Sequence, residues 1–196
     1  IGVRMPDLKA IAKEHRADYK EFFEMPYDSF EEIIIKGAAV GFADAPLCEK
    51  EPYIIRYAEM IDNWAECDCF CSCIKVKKRE EDDLLRLAEG LMYRKEEFVS
   101  RVGTVLMFSK FSDEPTVRKA LAIYDRLPSG EYYRDMAVAW GISVYCVKYP
   151  QLIVKYLEHS PISIAVKLAA AQKIRDSRRI SDEVKHRVTD TVNLQR

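Results

Sequence analysis

Glycine is scarce in this sequence, with 7 residues in 196, and long apolar runs are missing. Few stretches alternate β-branched and polar residues, so little of the chain has the pattern of a strand. No apolar run reaches the roughly 18 residues that a membrane-spanning helix needs, and no secretory signal is visible. These absences argue against a β-rich or membrane protein and predict an all-α one.

The formal net charge is also small, at -1, which by itself argues weakly against a nucleic-acid partner. The distribution of charge points the other way. Residues 1–98 carry 15 Lys and Arg against 22 Asp and Glu, whereas residues 99–196 carry 16 against 10. This asymmetry predicts a polyanion-binding face on the second half, with incidental solvated charge as the alternative.

Four of the six cysteines form the pattern CDCFCSC at residues 67–73, and no histidine lies near them. On a helix, Cys67 and Cys71 share one face while Cys69 and Cys73 lie on another, so four thiolates cannot converge on one ion. The spacing therefore predicts reduced, structural thiols. We expect neither a metal nor a cofactor.

Apolar periodicity and the placement of proline predict about a dozen helices joined by short loops. The expected ranges are 5–16, 19–23, 29–42, 52–62, 63–75, 81–93, 95–110, 114–126, 131–148, 150–158, 161–175 and 181–193. This pattern fits either an irregular bundle or stacked helical hairpins. A repeat near 40 residues favours the hairpins, because 37 residues separate Trp64 from Arg101 and 39 separate Arg101 from Trp140. One more step reaches the basic stretch at residues 173–179.

Trp64 and Asp68 are four residues apart, so a helix would point an indole and a carboxylate the same way. Such a pair is a receptor for a planar cation. The alternative is that Trp64 is a core anchor and Asp68 an exposed or capped acid. Arg101 lies in an otherwise apolar stretch and needs an anionic partner. That partner could be a ligand or an acid on a neighbouring helix.

Four segments in order resemble the DNA alkylation repair enzyme family, the AlkD-like glycosylases. They are residues 2–8 (GVRMPDL), 63–68 (NWAECD), 97–103 (EFVSRVG) and 136–141 (MAVAWG). The resemblance covers nearly the whole chain and implies a single domain, residues 1–196, of HEAT-like helical repeats stacked into a curved superhelix, or solenoid. It also implies that one early helix of the family is absent ahead of Ile1.

The resemblance further implies a monomeric enzyme that removes cationic alkylated purines, such as 3-methyladenine and 7-methylguanine, from duplex DNA in the cytoplasm or nucleoid. By position, Asp68 matches the catalytic carboxylate, Trp64 and Trp140 the two nucleotide-contacting tryptophans, and Arg101 a phosphate-contacting arginine. The charge pattern adds Lys173, Arg175, Arg178 and Arg179 as phosphate contacts.

The chain departs from the family pattern at one position. The family often has an arginine three residues after its second tryptophan, where this sequence has Ser143. Two alternatives to the enzyme therefore stay open: a non-catalytic relative that binds distorted or branched DNA, and a helical-repeat scaffold that binds a protein.

Overall fold

The computed structural model describes residues 2–195, in which twelve α-helices and one short 3₁₀ turn account for the regular structure. The helices of the first part of the chain are α1 Met5–Glu14, α2 Tyr19–Glu24, α3 Phe30–Phe42, α4 Leu47–Met60, α5 Trp64–Cys73, α6 Glu81–Met92 and α7 Glu97–Lys110. Those of the second part are α8 Glu114–Tyr124, α9 Tyr132–Lys148, α10 Pro150–His159, α11 Ile164–Asp176 and α12 Asp182–Asn193. No helix in this part of the chain is long and apolar enough to cross a membrane.

The chain forms two compact units, residues 1–103 and 104–196, with the boundary inside α7. In the first unit α3 packs against α1 and α5, and α4 against α6. In the second unit α9 packs against α11, and α10 against α12. Alternate helices are thus neighbours within each unit, as in stacked helical pairs. The prediction of an all-α fold of HEAT-like repeats is confirmed.

The start of α4 differs from the prediction. The predicted range, 52–62, would place Pro52 at the first position of the helix, where proline is common. The helix instead begins at Leu47, directly after Pro46, and Pro52 lies inside it. The early turns survive because Glu49 and Lys50 donate backbone N–H bonds to the carbonyl of Pro46. A proline in a helix interior costs one hydrogen bond, and packing can offset that cost.

Two buried lysines in the first unit hold the ends of helices. Lys36 Nζ donates to the carbonyl of Phe23 at 2.7 Å. Lys50 Nζ donates to the carbonyls of Ala43 at 3.2 Å and Lys75 at 2.5 Å, which follow the ends of α3 and α5. Burial lowers the pKa of both ammonium groups. These lysines satisfy carbonyls that the helices leave without a partner, so their charges serve the fold.

Close approach of helix backbones makes glycine necessary at Gly103. A Cβ added there would lie 2.6 Å from both the carbonyl oxygen of Ala88 and the amide nitrogen of Met92 on α6. Backbone cannot yield as a flexible side chain can. We expect Gly103→Ala to lower the free energy of unfolding by about 2–3 kcal/mol, measured by urea denaturation.

Gly90 on α6 is the matched control, because a Cβ added there would meet nothing within 4 Å. Alanine is the better helix former, so Gly90→Ala should raise the free energy of unfolding by about 0.5–1 kcal/mol. A loss of stability in Gly90→Ala equal to that in Gly103→Ala would contradict the packing account.

Candidate active site

The site begins at the first turn of α5, which a side-chain cap fixes. Asn63 Oδ1 accepts the backbone N–H of Glu66 at 3.1 Å. The Glu66 carboxylate in turn accepts the backbone N–H of Asp62 at 3.4 Å. The bond to Asn63 satisfies an N–H group that a helix start leaves unpaired. Glu66 is buried, and its burial raises the pKa of its carboxyl group. The cap therefore fixes the start of α5 and with it the direction in which the side chains of Trp64 and Asp68 point.

Trp64 is 57% exposed and shares a helix face with Asp68. The alternative interpretation of Trp64 as a core anchor is therefore wrong. A tryptophan held on the surface exposes an aromatic face that a ligand can cover.

Arg101 on α7 binds Asp68 with a bidentate ion pair. Its Nη2 donates to the two carboxylate oxygens at 2.9 and 3.0 Å, and its Nε lies 3.3 Å from Oδ1. The Arg101 side chain is 6% exposed and that of Asp68 is 21% exposed. The requirement of Arg101 for an anionic partner is thus met inside the protein, by Asp68. The carboxylate keeps an edge toward solvent while the guanidinium lies beneath it.

This geometry suits a cationic substrate. A bidentate guanidinium orients a carboxylate and favours its charged form. An indole one helical turn away attracts positive charge through its ring quadrupole. The first unit thus brings together Trp64, Asp68 and Arg101, as the sequence predicts.

Trp140 lies on α9 in the second unit, where it is half-buried. Its ring meets that of Phe108 edge to face, with the centroids 4.7 Å apart and the planes at 61°. Gly141 leaves space for Phe108, because a Cβ at position 141 would lie 3.0 Å from its ring. Phe108 therefore fixes the indole of Trp140 from one side.

Ser143 occupies the position where the family often has an arginine. Its hydroxyl donates to the carbonyl of Trp140 at 2.7 Å, and the residue is buried. The side chain donates its one hydroxyl proton to its own helix, so it does not supply the cationic donor that an arginine would.

The predicted basic cluster lies at the end of α11 and in the loop that follows. Lys173 is half-buried, whereas Arg175, Arg178 and Arg179 are exposed. The Arg175 guanidinium donates to the side-chain oxygen of Gln172. The cluster is thus an accessible basic surface of the second unit.

The cysteines of α5 are free thiols, and all four are buried. Cys71 lies under the site, with its Sγ 3.7 Å from the carbonyl of Val102. Among residues 2–195, no group of His, Cys, Asp and Glu side chains is arranged to hold a metal ion. The thiols fill the space between α5 and its neighbours.

Sequence reasoning missed two residues beside the site. Ser72 continues the Trp64 and Asp68 face by one more turn and is exposed. Its Oγ accepts a hydrogen bond from Lys9 Nζ at 2.9 Å. The repeated i, i+4 spacing of residues 64, 68 and 72 is a signal that identifies Ser72, but no local pattern pairs it with a lysine 63 positions away.

A family model described as DNA alkylation repair enzyme matches residues 1–180. No curated protein and no solved structure matches the chain.

Proposed function

The chain belongs to the DNA alkylation repair enzyme family, and from that premise we propose that it is a monofunctional alkylpurine DNA glycosylase. Its role is DNA repair and its substrate is DNA. The proposed reaction is hydrolysis of the N-glycosidic bond of cationic purines, such as 3-methyladenine and 7-methylguanine, in duplex DNA. The observation that carries the proposal is the Asp68 carboxylate, oriented by Arg101 on the helix face that exposes Trp64.

Alkylation makes the base a better leaving group. The positive charge on an N-alkylated purine weakens the bond to C1′ of the sugar, so no acid is needed to protonate the base. As that bond breaks, its electron pair moves to the base and neutralises it, and positive charge develops on the sugar ring. Water then bonds to C1′ and gives up a proton, which leaves a free base and an abasic sugar.

Asp68 supplies what this reaction needs. A preorganised carboxylate stabilises positive charge on the sugar and orients the attacking water. Arg101 supports this role because its bidentate contact fixes the plane of the carboxylate. As a second role, we propose that Arg101 contacts a DNA phosphate through the small part of its side chain, 6%, that remains exposed.

The tryptophans and the basic cluster supply binding. The exposed face of Trp64 attracts the cationic nucleotide before the bond breaks, and we assign the same role to Trp140. Lys173, Arg175, Arg178 and Arg179 contact phosphates, which position the duplex without reading its sequence.

We expect Trp64→Ala to lower excision of 7-methylguanine by about tenfold, which corresponds to the roughly 1–2 kcal/mol of a desolvated cation–π contact. The melting temperature should change little, because the ring is 57% exposed. Single-turnover excision and a thermal melt check both. The matched control is Tyr93→Ala, which removes a ring that is 52% exposed and lies outside the site. Equal excision by parent and Trp64→Ala would contradict the role of the indole.

A non-catalytic protein that binds distorted or branched DNA is the second candidate. Ser143 favours it, because its hydroxyl is bonded to the carbonyl of Trp140 and replaces a cationic contact of the family. The two candidates differ in one measurement, the release of free base from alkylated duplex DNA. The glycosylase releases base, whereas the non-catalytic protein binds without release.

A further inference from the structure

The exposed face of α5 extends beyond the catalytic carboxylate to Ser72. Asp68 and Ser72 are four residues apart, or about 6 Å along the helix axis. The Ser72 hydroxyl donates to the carbonyl of Cys69 at 2.6 Å and accepts from Lys9 Nζ at 2.9 Å. A serine hydroxyl and an ammonium group therefore meet one turn from Asp68.

Lys9 and Lys13 lie on one face of α1. The two residues are four apart, which is the spacing of neighbours on one helix face. Asp7 lies on a different face, where it pairs with Arg4 at 3.0 Å. Within residues 2–195, neither Lys9 nor Lys13 forms an ion pair.

Phe42 connects this stripe to the end of α5. Lys13 Nζ and Lys75 Nζ each lie 5.4 Å from the centroid of the Phe42 ring. Lys75 follows α5 and is exposed, and the described residues give it no carboxylate partner. The ring attracts both ammonium groups without neutralising either charge. We call Lys9, Lys13 and Lys75 the lysine track.

We propose that the lysine track binds the sugar-phosphate backbone of the strand that carries the damaged nucleotide. Lys9, positioned by Ser72, holds the phosphate beside the target nucleotide, and Lys13 and Lys75 hold the phosphates that follow. This inference rests on the proposed function, because it takes Asp68 as the reaction centre.

The chemistry of the track fits phosphate. The three lysines carry positive charge that no described carboxylate pairs, and a polyanion is attracted to such a surface. Lys9 Nζ, which Ser72 Oγ holds one turn from the carboxylate, has further N–H donors that it can offer to a phosphate oxygen. Arg101, to which the family resemblance assigns a phosphate contact, is buried and binds Asp68. The lysine track supplies accessible donors beside the same carboxylate.

The test is the salt dependence of binding to an undamaged DNA duplex. Each phosphate contact contributes about 0.9 to the slope of log K against log salt. The variant with Lys9, Lys13 and Lys75 all changed to alanine should therefore lose about 2.7 from that slope. Lys9→Gln, which keeps a side-chain donor near Ser72 without the charge, should lose about 0.9. As the salt concentration is raised, the track variant should lose excision at a lower concentration than the parent does.

The matched control removes three exposed cations from helices outside the site: Arg86 on α6, Arg118 on α8 and Lys155 on α10. Its net charge equals that of the track variant, so an effect of total charge would appear in both. If the slope is unchanged in the track variant while the parent releases base, the lysine track does not bind phosphate. The proposal of a glycosylase would be unaffected by that result. A parent that neither binds DNA nor releases base would overturn both.

Discussion

Asp68→Asn should lower the rate of base excision by at least about 100-fold, the loss typical when a preorganised stabilising group is removed. The amide keeps the size of the carboxylate and one acceptor oxygen for Arg101. It lacks the negative charge that stabilises positive charge on the sugar. Single-turnover release of 7-methylguanine from a duplex with one damaged site measures the effect.

The variant also leaves the Arg101 guanidinium with a weaker partner, so stability must be measured beside activity. Excision should be compared at a temperature where circular dichroism shows both proteins folded. Asp82→Asn on α6 is the control, because Asp82 is an exposed carboxylate outside the site. It should release base at the parent rate. An Asp68→Asn protein that excises as fast as Asp82→Asn would remove Asp68 from the mechanism.

Arg101→Met should lower the free energy of unfolding by about 3 kcal/mol, the lower end of the range for breaking a buried ion pair. The lower end applies because the remaining Asp68 side chain is 21% exposed and can be hydrated. The variant should also excise poorly, because the carboxylate loses the contact that fixes its plane. Urea denaturation gives the stability, and single-turnover kinetics give the activity.

The double variant, with Asp68→Asn and Arg101→Met together, separates these two effects. The stability losses should not add, because removing either partner already breaks the pair; a coupling of about 1–3 kcal/mol is expected. Activity should stay lost even though part of the stability returns. Additive stability losses would show that the pair does not hold the two helices together in solution.

The sequence predicted well where local spacing decides the structure. The four-residue separation of Trp64 and Asp68 placed both on one face of α5, and the structure confirms this helix. The spacing did not decide the burial of Trp64, which depends on how α5 packs. The apolar surroundings of Arg101 indicated an anionic partner, but only packing could show that Asp68 is that partner.

The charge count of each half of the chain was a weaker guide to the basic surfaces. It directed attention to residues 173–179, because the first half carries more acids than bases. The structure shows that Lys9 and Lys13 lie on one face of α1, whereas Asp7 lies on another. A net count cannot separate faces, and Lys75 joins this track only through the Phe42 ring at the end of α3. Contacts between residues distant in sequence are what composition leaves out.

The most direct test of the central claim is release of free base from a duplex that contains a single 7-methylguanine. Mass spectrometry would identify the free base, and cleavage of the abasic strand with mild alkali would count the sites. The account predicts equal amounts of free 7-methylguanine and abasic sites, and no release from undamaged duplex. Binding of the same duplex with neither product would contradict it, and would leave a repair-family protein that holds DNA without cutting the glycosidic bond.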